Sequence, residues 1–163
     1  MQKMQSDNLK LEKIVVNVGV GRLSQAPNFS DKILPEIDKE LALITGQKPS
    51  PRGAKQSIAG FKIRAGNVVG LKVTLRGKRM RDFLSRLVNI ALPRVRDFRG
   101  VDLKNVDKSG NLSIGFREHS VFPEINLETS RVNFGLEVTL VPKIRIREKA
   151  IEAYRQLGVP FKK

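Results

Sequence analysis

The side chains in this sequence that are best suited to chemistry are cations. Between Leu41 and Arg81 the chain has ten lysine and arginine residues and no aspartate or glutamate. A surface of an ordinary globular domain mixes both signs of charge, because like charges repel one another and oppose the compact state. This acid-free run therefore favours a polyanionic partner. Its basic residues are Lys48, Arg52, Lys55, Lys62, Arg64, Lys72, Arg76, Lys78, Arg79 and Arg81.

The whole chain has the same bias. It has 163 residues, with 31 basic and 16 acidic side chains and a formal net charge of +15, as expected for a protein that lies on nucleic acid phosphates. An anionic membrane is the rival partner, but the sequence has neither a lipidation signal nor an apolar run long enough to cross a bilayer. The absence of cysteine excludes disulfides and thiolate metal sites. Met1–Lys10 contains no secretory signal, so we expect an intracellular protein.

Catalytic interpretations are weak. The one histidine, His119, falls in a polar loop without a nucleophile arrangement. Gly19 and Gly21 follow a predicted strand but lack the third glycine of a dinucleotide loop, so a tight turn is the better interpretation. Glu36 and Glu40 lie one helical turn apart on a face predicted to be exposed, where they increase solubility. We predict no enzyme, no catalytic residue, no cofactor and no metal.

The chain is long enough for one domain over residues 1–163, with a short N-terminal extension at 1–10 and a tail at 158–163. Alternation of apolar residues predicts a first strand over 13–18 and helical spacing predicts a helix over 30–45, with Pro35 in its first turn. Residues 49–60 are predicted to be a loop or an irregular edge strand. Residues 61–64 and 69–76 are predicted to form a hairpin around 65–68.

The same apolar periodicities predict the remaining helices and strands, from residue 78 onward. A single apolar stripe predicts a helix over 78–92 that Pro93 ends. Strands are predicted at 112–117 and 136–141, and a closing helix at 147–157. The order of elements predicts an α+β fold, a mostly antiparallel sheet with helices on one face and an open basic RNA-binding face. Phe61, Phe83, Phe116 and Tyr154 are interpreted as packed residues rather than as stacking platforms for bases.

The residues expected on the open face alternate with the apolar ones. Any one of them could be an ordinary solvated residue, but together with the acid-free run they favour RNA. They are Lys13, Asn17, Lys62, Arg64, Lys72, Thr74, Arg76, Ser113, Arg117, Glu137 and Thr139.

Six segments in the same order closely resemble the family of the bacterial-type ribosomal protein number five of the large subunit. They are Ile14–Gly21, Ile44–Pro49, Ser57–Arg64, Lys72–Gly77, Leu92–Val101 and Phe122–Ile125. The resemblance implies a structural protein of the large subunit of the cytoplasmic ribosome that binds 5S ribosomal RNA in the central protuberance, beside 23S-type ribosomal RNA and neighbouring large-subunit proteins. It also implies contacts with the P-site tRNA elbow and with a protein of the small-subunit head. Members of that family usually begin with a further helical segment, whereas only Met1–Lys10 precede the first strand here.

The resemblance also assigns residues. It implies 5S ribosomal RNA contacts by Asn17, Gln47 and Thr74, and the basic residues of the predicted open face extend the ribosomal RNA-binding set to Lys13, Lys72 and Arg76. It implies that the hairpin loop, formed by Arg64, Ala65, Gly66, Asn67 and Val68, contacts tRNA. Two alternatives are a phosphate-handling enzyme and another kind of RNA-binding protein that uses the same basic face.

Overall fold

A computed structural model describes residues 10–163, so the predicted N-terminal extension falls almost wholly outside the described residues. The described chain forms a five-stranded antiparallel sheet in the order β2-β3-β1-β5-β4. The strands are β1 (Leu11–Gly19), β2 (Ser50–Gly53), β3 (Val68–Leu75), β4 (Leu112–Phe116) and β5 (Leu136–Pro142).

The helices are α1 (Leu34–Thr45), α2 (Gly77–Arg86), α3 (Leu92–Arg94) and α4 (Arg147–Gln156). A π-helical turn at Phe29–Ile33 leads into α1, and another at Leu87–Ala91 joins α2 to α3. Pro35 lies in the first turn of α1, as predicted. Pro93 lies in the first turn of α3, where a missing N–H is tolerated, so the helical segment ends at Arg94 rather than at the proline. No helix among the described residues is long and apolar enough to span a membrane.

The core lies between the helices and one face of the sheet. Alternate residues of β1, β3, β4 and β5 are buried, including Ile14, Val16 and Val18 of β1. They pack with the apolar stripes of α1, α2 and α4. Phe83 and Tyr154 are fully buried within this core, and Phe116 is also buried. The predicted α+β architecture is confirmed.

The predicted hairpin is wrong. The partner of β3 is β2, with Ser50 opposite Lys72, and residues 54–67 form the connection between these strands. The predicted strand 61–64 instead overlaps the end of a 3-10 turn at Ala59–Phe61, and Lys62 has a left-handed φ of 53°. A four-residue alternation is too short to specify a strand, whereas an edge strand tolerates the prolines that flank Ser50. Phe61 is 63% exposed, so its assignment to the core is also wrong.

Two other polar residues lie elsewhere than predicted. His119 is 2% exposed and Glu40 is 9% exposed, although the sequence placed one in a polar loop and the other on an exposed helix face. The His119 Nε2 atom lies 2.8 Å from Glu40 Oε2, and its ring stacks on Phe134. Glu40 borders the buried stripe of α1, and residues 117–135 fold over it, so each polar group is buried against the other.

Candidate RNA-binding face

The sheet face opposite the helices carries polar residues in cross-strand rows. Asn17 on the central strand β1 is paired with Lys72 of β3 on one side and with Glu137 of β5 on the other. Thr74 occupies the next open-face row of β3, opposite Val15. The Asn17 and Lys72 side chains and the Thr74 hydroxyl make no hydrogen bond to any residue within 10–163 and are not fully buried. They are therefore available to a ligand.

One edge of this face is strongly basic. We call residues 48–80, which comprise β2, the loop 54–67, β3 and the first turn of α2, the basic edge. In the described part of the chain, eight of the ten cations of the acid-free run form no side-chain hydrogen bond or ion pair. Unpaired like charges repel one another, and a polyanion would relieve this repulsion. The eight are Lys48, Arg52, Lys55, Lys62, Arg64, Lys72, Arg76 and Lys78.

The end of α1 brings Gln47 to the basic edge. Gly46 ends the helix with a left-handed φ of 74°, and its N–H donates to the Ala42 carbonyl at 2.8 Å. The Thr45 hydroxyl donates to the Leu41 carbonyl at 2.8 Å. Arg86 of α2 donates to the Ile44 carbonyl at 3.0 Å and so fixes the last turn of α1. The chain therefore leaves the helix in a defined direction.

The Gln47 side chain then joins two other elements. Its Nε2 atom donates to the carbonyl of Thr74 at 3.1 Å. Because β2 begins at Ser50, opposite Lys72, β3 has no strand partner on that side at Thr74, and the amide replaces one. Arg79 of α2 donates through Nη1 to Gln47 Oε1 at 3.1 Å. The structure thus brings Gln47 and Thr74 together.

The contact between Arg79 and Gln47 does not follow from the sequence. Arg79 is one of the ten cations of the acid-free run, but no periodicity relates a residue at the start of α2 to one 32 positions earlier. Only the folded arrangement reveals this contact.

Two further predicted residues border the same face. Lys13 lies on the open side of β1, half-buried. Arg76 follows β3 directly and is the N-cap of α2, without a side-chain cap. Lys78 and Arg79 in the first turn place positive charge at the positive end of the helix dipole, which is unfavourable in the free protein and favours a nearby anion.

The loop 54–67 does not have the shape predicted for it. Its turn lies at Ala59–Lys62, so Ala65, Gly66 and Asn67 belong to the returning arm. Hydrogen bonds between Ala54 and both Asn67 and Gly66, each of 2.8 Å, join the arms near the sheet. Val68 is the first residue of β3.

The tip beyond these residues is ordered by its own contacts. Ile58 and Ile63 form an isolated antiparallel bridge, and the Gln25 amide donates to the Phe61 carbonyl at 2.7 Å. Lys62 and Arg64 lie in this loop, so their assignment to the open sheet face is wrong. Every residue from Lys55 to Lys62 is exposed, and the whole tip is accessible.

The opposite edge of the sheet is different. Ser113 of β4 and Thr139 of β5 are neighbours whose hydroxyl oxygens lie 3.3 Å apart. Glu137 carries the negative charge of this edge, and Arg117 lies exposed just beyond β4. Across residues 10–163, no group of three or more His, Asp or Glu side chains could hold a metal ion. The basic edge is thus the part of the face suited to phosphates, while Asn17, Gln47 and Thr74 can reach 2'-hydroxyls and base edges.

Comparison with known proteins agrees with this chemistry. The family model described as Ribosomal protein L5 matches residues 5–64, and the model for the C-terminus of the same ribosomal family matches residues 68–161.

Three curated relatives share the printed description "Large ribosomal subunit protein uL5". The protein of Halothermothrix orenii is 47% identical over 99% of this chain and 90% of its own length. The Syntrophomonas wolfei protein is 48% identical over 99% and 91%, and the Limosilactobacillus fermentum protein is 51% identical over 94% and 83%, respectively. The chain therefore belongs to the ribosomal protein L5 (uL5) family, whose members are structural, non-enzymatic proteins of the large ribosomal subunit.

Proposed function

We propose that this protein, as part of the large subunit of the cytoplasmic ribosome, binds 5S ribosomal RNA with the basic edge and the adjoining rows of the open sheet face. The observation that carries the proposal is the set of eight unpaired cations on the basic edge, together with Asn17, Gln47 and Thr74 on or beside the same strands. The cations would bind phosphates, and the three neutral polar residues would supply the contacts that depend on RNA structure. Lys72 is the cross-strand partner of Asn17, and Lys13 and Arg76 contribute charge on β1 and directly after β3.

The loop 54–67 supports a second part of the proposal, a contact with P-site tRNA. Its exposed tip is ordered, basic and extends from the edge of the sheet. Arg64, Ala65, Gly66 and Asn67 form the arm that supports this tip, and Val68 anchors it to β3.

The remaining partners belong to the same proposal. We assign 23S-type ribosomal RNA and neighbouring large-subunit proteins as further partners in the central protuberance, and a small-subunit head protein as the partner across the subunit interface. Support for these contacts is the membership of the L5 family together with the resemblance of the six sequence segments.

The test of 5S binding is its salt dependence. Neutralising about five to eight phosphates predicts a log-log slope of affinity against salt of about −4 to −7. Lys72→Ala is expected to reduce that slope by about one unit, whereas Lys149→Ala, an exposed lysine of α4 outside the acid-free run, should leave it unchanged. A slope near zero, or equal affinity for an unrelated duplex RNA of the same length, would refute the proposal.

The tRNA contact needs assembled ribosomes. Replacing Ile58–Ile63 by two glycines removes the tip but keeps β2 and β3. Because the replacement removes one of the eight unpaired cations, Lys62, we expect at most a small loss of 5S binding. Incorporation into the large subunit should be normal, and P-site tRNA should dissociate faster. Unchanged tRNA dissociation would show that this loop makes no energetically significant contact.

A further inference from the structure

The amide of Gln47 is held between two partners of opposite hydrogen-bonding character. The Thr74 carbonyl can only accept a hydrogen bond, and the Arg79 guanidinium can only donate one. Gln47 meets the carbonyl with Nε2 and the guanidinium with Oε1, each at 3.1 Å. A flipped amide would place a donor against the guanidinium and an acceptor against the carbonyl. The two contacts together therefore fix one orientation of the amide.

This orientation leaves one half of the amide free. A glutamine amide has two N–H donors and two lone pairs on its oxygen. Thr74 uses one donor and Arg79 one lone pair, and Gln47 makes no other side-chain hydrogen bond within residues 10–163. Because Gln47 is only half-buried, the second N–H and the second lone pair form an accessible pair of one donor and one acceptor. Such a pair matches a base edge or a 2'-hydroxyl, whereas a phosphate offers acceptors only.

Arg79 contacts the Gln47 amide, whereas the neighbouring Lys78 does not. Lys78 lies in the same first turn of α2, is equally exposed and has no partner among the described residues. Both cations would attract phosphates similarly, but only Arg79 contacts Gln47. Lys78 is thus a control of equal charge, and the Gln47→Met background shows whether an effect specific to Arg79 acts through the amide.

From this geometry we infer that Arg79 is a positioning residue that fixes the Gln47 amide and thereby sets how selectively the protein recognises its RNA. The inference rests on the proposed binding of 5S ribosomal RNA. It adds that two neighbouring cations at the start of α2 have different roles. Lys78 attracts phosphates, and Arg79 also orients the Gln47 amide.

The test is a pair of double-mutant cycles measured by 5S ribosomal RNA affinity at fixed salt. Gln47→Met keeps the side-chain volume and removes the amide, and we expect a loss of about fivefold to tenfold in affinity, the size of one lost hydrogen bond. Arg79→Ala should cause a loss in the parent protein that is at least threefold larger than its loss in the Gln47→Met background. Lys78→Ala should cause the same loss in both backgrounds.

Selectivity and amide mobility provide readouts that a merely structural role would not change. Arg79→Ala should lower the ratio of affinities for 5S RNA and an unrelated structured RNA, while Lys78→Ala lowers both affinities alike. The side-chain amide signals of Gln47 in an NMR spectrum should show increased motion in Arg79→Ala and not in Lys78→Ala. Melting temperatures of the variants are measured first, so that a folding defect is recognised.

The possible results distinguish a failure of the proposed 5S binding from a failure of the positioning role of Arg79. If the parent protein has no preference for 5S RNA, the proposed function fails. If the parent binds selectively but the Arg79 and Gln47 effects are additive, or if Arg79→Ala and Lys78→Ala are indistinguishable, the positioning role is wrong and Arg79 is simply another phosphate-binding cation.

Discussion

Two regions of this protein differ in whether their charged and polar side chains have partners within the protein. In the basic edge, eight cations have no partner among the described residues. Between α1, α2 and residues 117–135, polar and charged side chains lie against one another, and we call the set of Glu40, His119, Ser130, Arg86 and Glu124 the polar clasp. His119 lies between Glu40 and Ser130, and Arg86 forms an ion pair with Glu124. Polar groups that contact one another inside the protein hold its elements together, whereas cations without a partner at the surface are available for binding.

The two regions are also physically connected. Arg86 of the polar clasp donates to the carbonyl of Ile44, three residues before Gln47. The clasp thereby fixes the end of α1 from which Gln47 extends to the basic edge. Substitutions in the clasp should therefore change stability first, and substitutions in the basic edge should change RNA affinity first.

The largest expected effect on the unfolding free energy comes from a buried phenylalanine, compared with an exposed one. Phe83 is fully buried in the core, whereas Phe61 is 63% exposed at the tip of the basic edge. Phe83→Ala should lower the free energy of unfolding by about 3–5 kcal/mol, because it removes buried contacts and leaves a cavity. Phe61→Ala should change it by less than about 0.5 kcal/mol. Chemical denaturation measures both, and a large loss for Phe61→Ala would contradict the exposed position of this side chain.

The next largest expected effect on the unfolding free energy comes from a substitution in the polar clasp. Glu40→Ala removes the carboxylate beside the buried His119 ring and should lower the unfolding free energy by about 2 kcal/mol. Lys39→Ala changes an exposed neighbour on the same helix and should have little effect. Glu40→Gln keeps a polar group of the same size beside the ring and should lose less unfolding free energy than Glu40→Ala. Equal stability of the Glu40→Ala and Lys39→Ala variants would show that the clasp is not stabilising.

A third prediction concerns pH and the part of the core that contains Tyr154 of α4. The single O–H of the buried Tyr154 is shared between the carbonyl oxygens of Gly110 and Leu140. Burial raises the pKa of Tyr154 above its usual value of 10.0. The folded state thus favours the neutral phenol, and this contribution to stability is complete below the unfolded pKa and is lost as the pH rises above it. Each pH unit above 10 should cost about 1.4 kcal/mol until the folded pKa is reached.

The matched variant for this prediction is Tyr154→Phe. Because it has no hydroxyl, its unfolding free energy should be lower than that of the parent at neutral pH. The decrease in unfolding free energy that ionisation of Tyr154 causes at alkaline pH should be absent from the variant. Denaturation curves between about pH 8 and pH 11 test this. A parent and a variant with parallel stability profiles over this range would contradict the assignment.

The sequence predicted most of the sheet and only part of the site. Strict alternation in β1 and β3 placed Asn17 and Thr74 on the open side, because a strand has only two faces and the apolar residues specify one of them. The loop 54–67 has no such periodicity, so its bridge and its exposed Phe61 were not predicted. The contacts of Gln47 with Arg79 and of Glu40 with His119 join residues 32 and 79 positions apart. Only packing determines which distant polar groups meet.

The smallest predicted effects test the open face itself. Asn17→Ala and Thr74→Ala should each weaken 5S RNA binding by about 1 kcal/mol and leave the melting temperature nearly unchanged, because both side chains lie away from the core and lack partners among residues 10–163. Val73→Ala, adjacent to Thr74 but buried beneath the sheet, should lower the melting temperature and spare RNA affinity. Thermal unfolding and RNA titration of the three variants give a direct comparison. A destabilised Thr74→Ala variant with normal affinity would mean that the open face supports the fold rather than binding RNA.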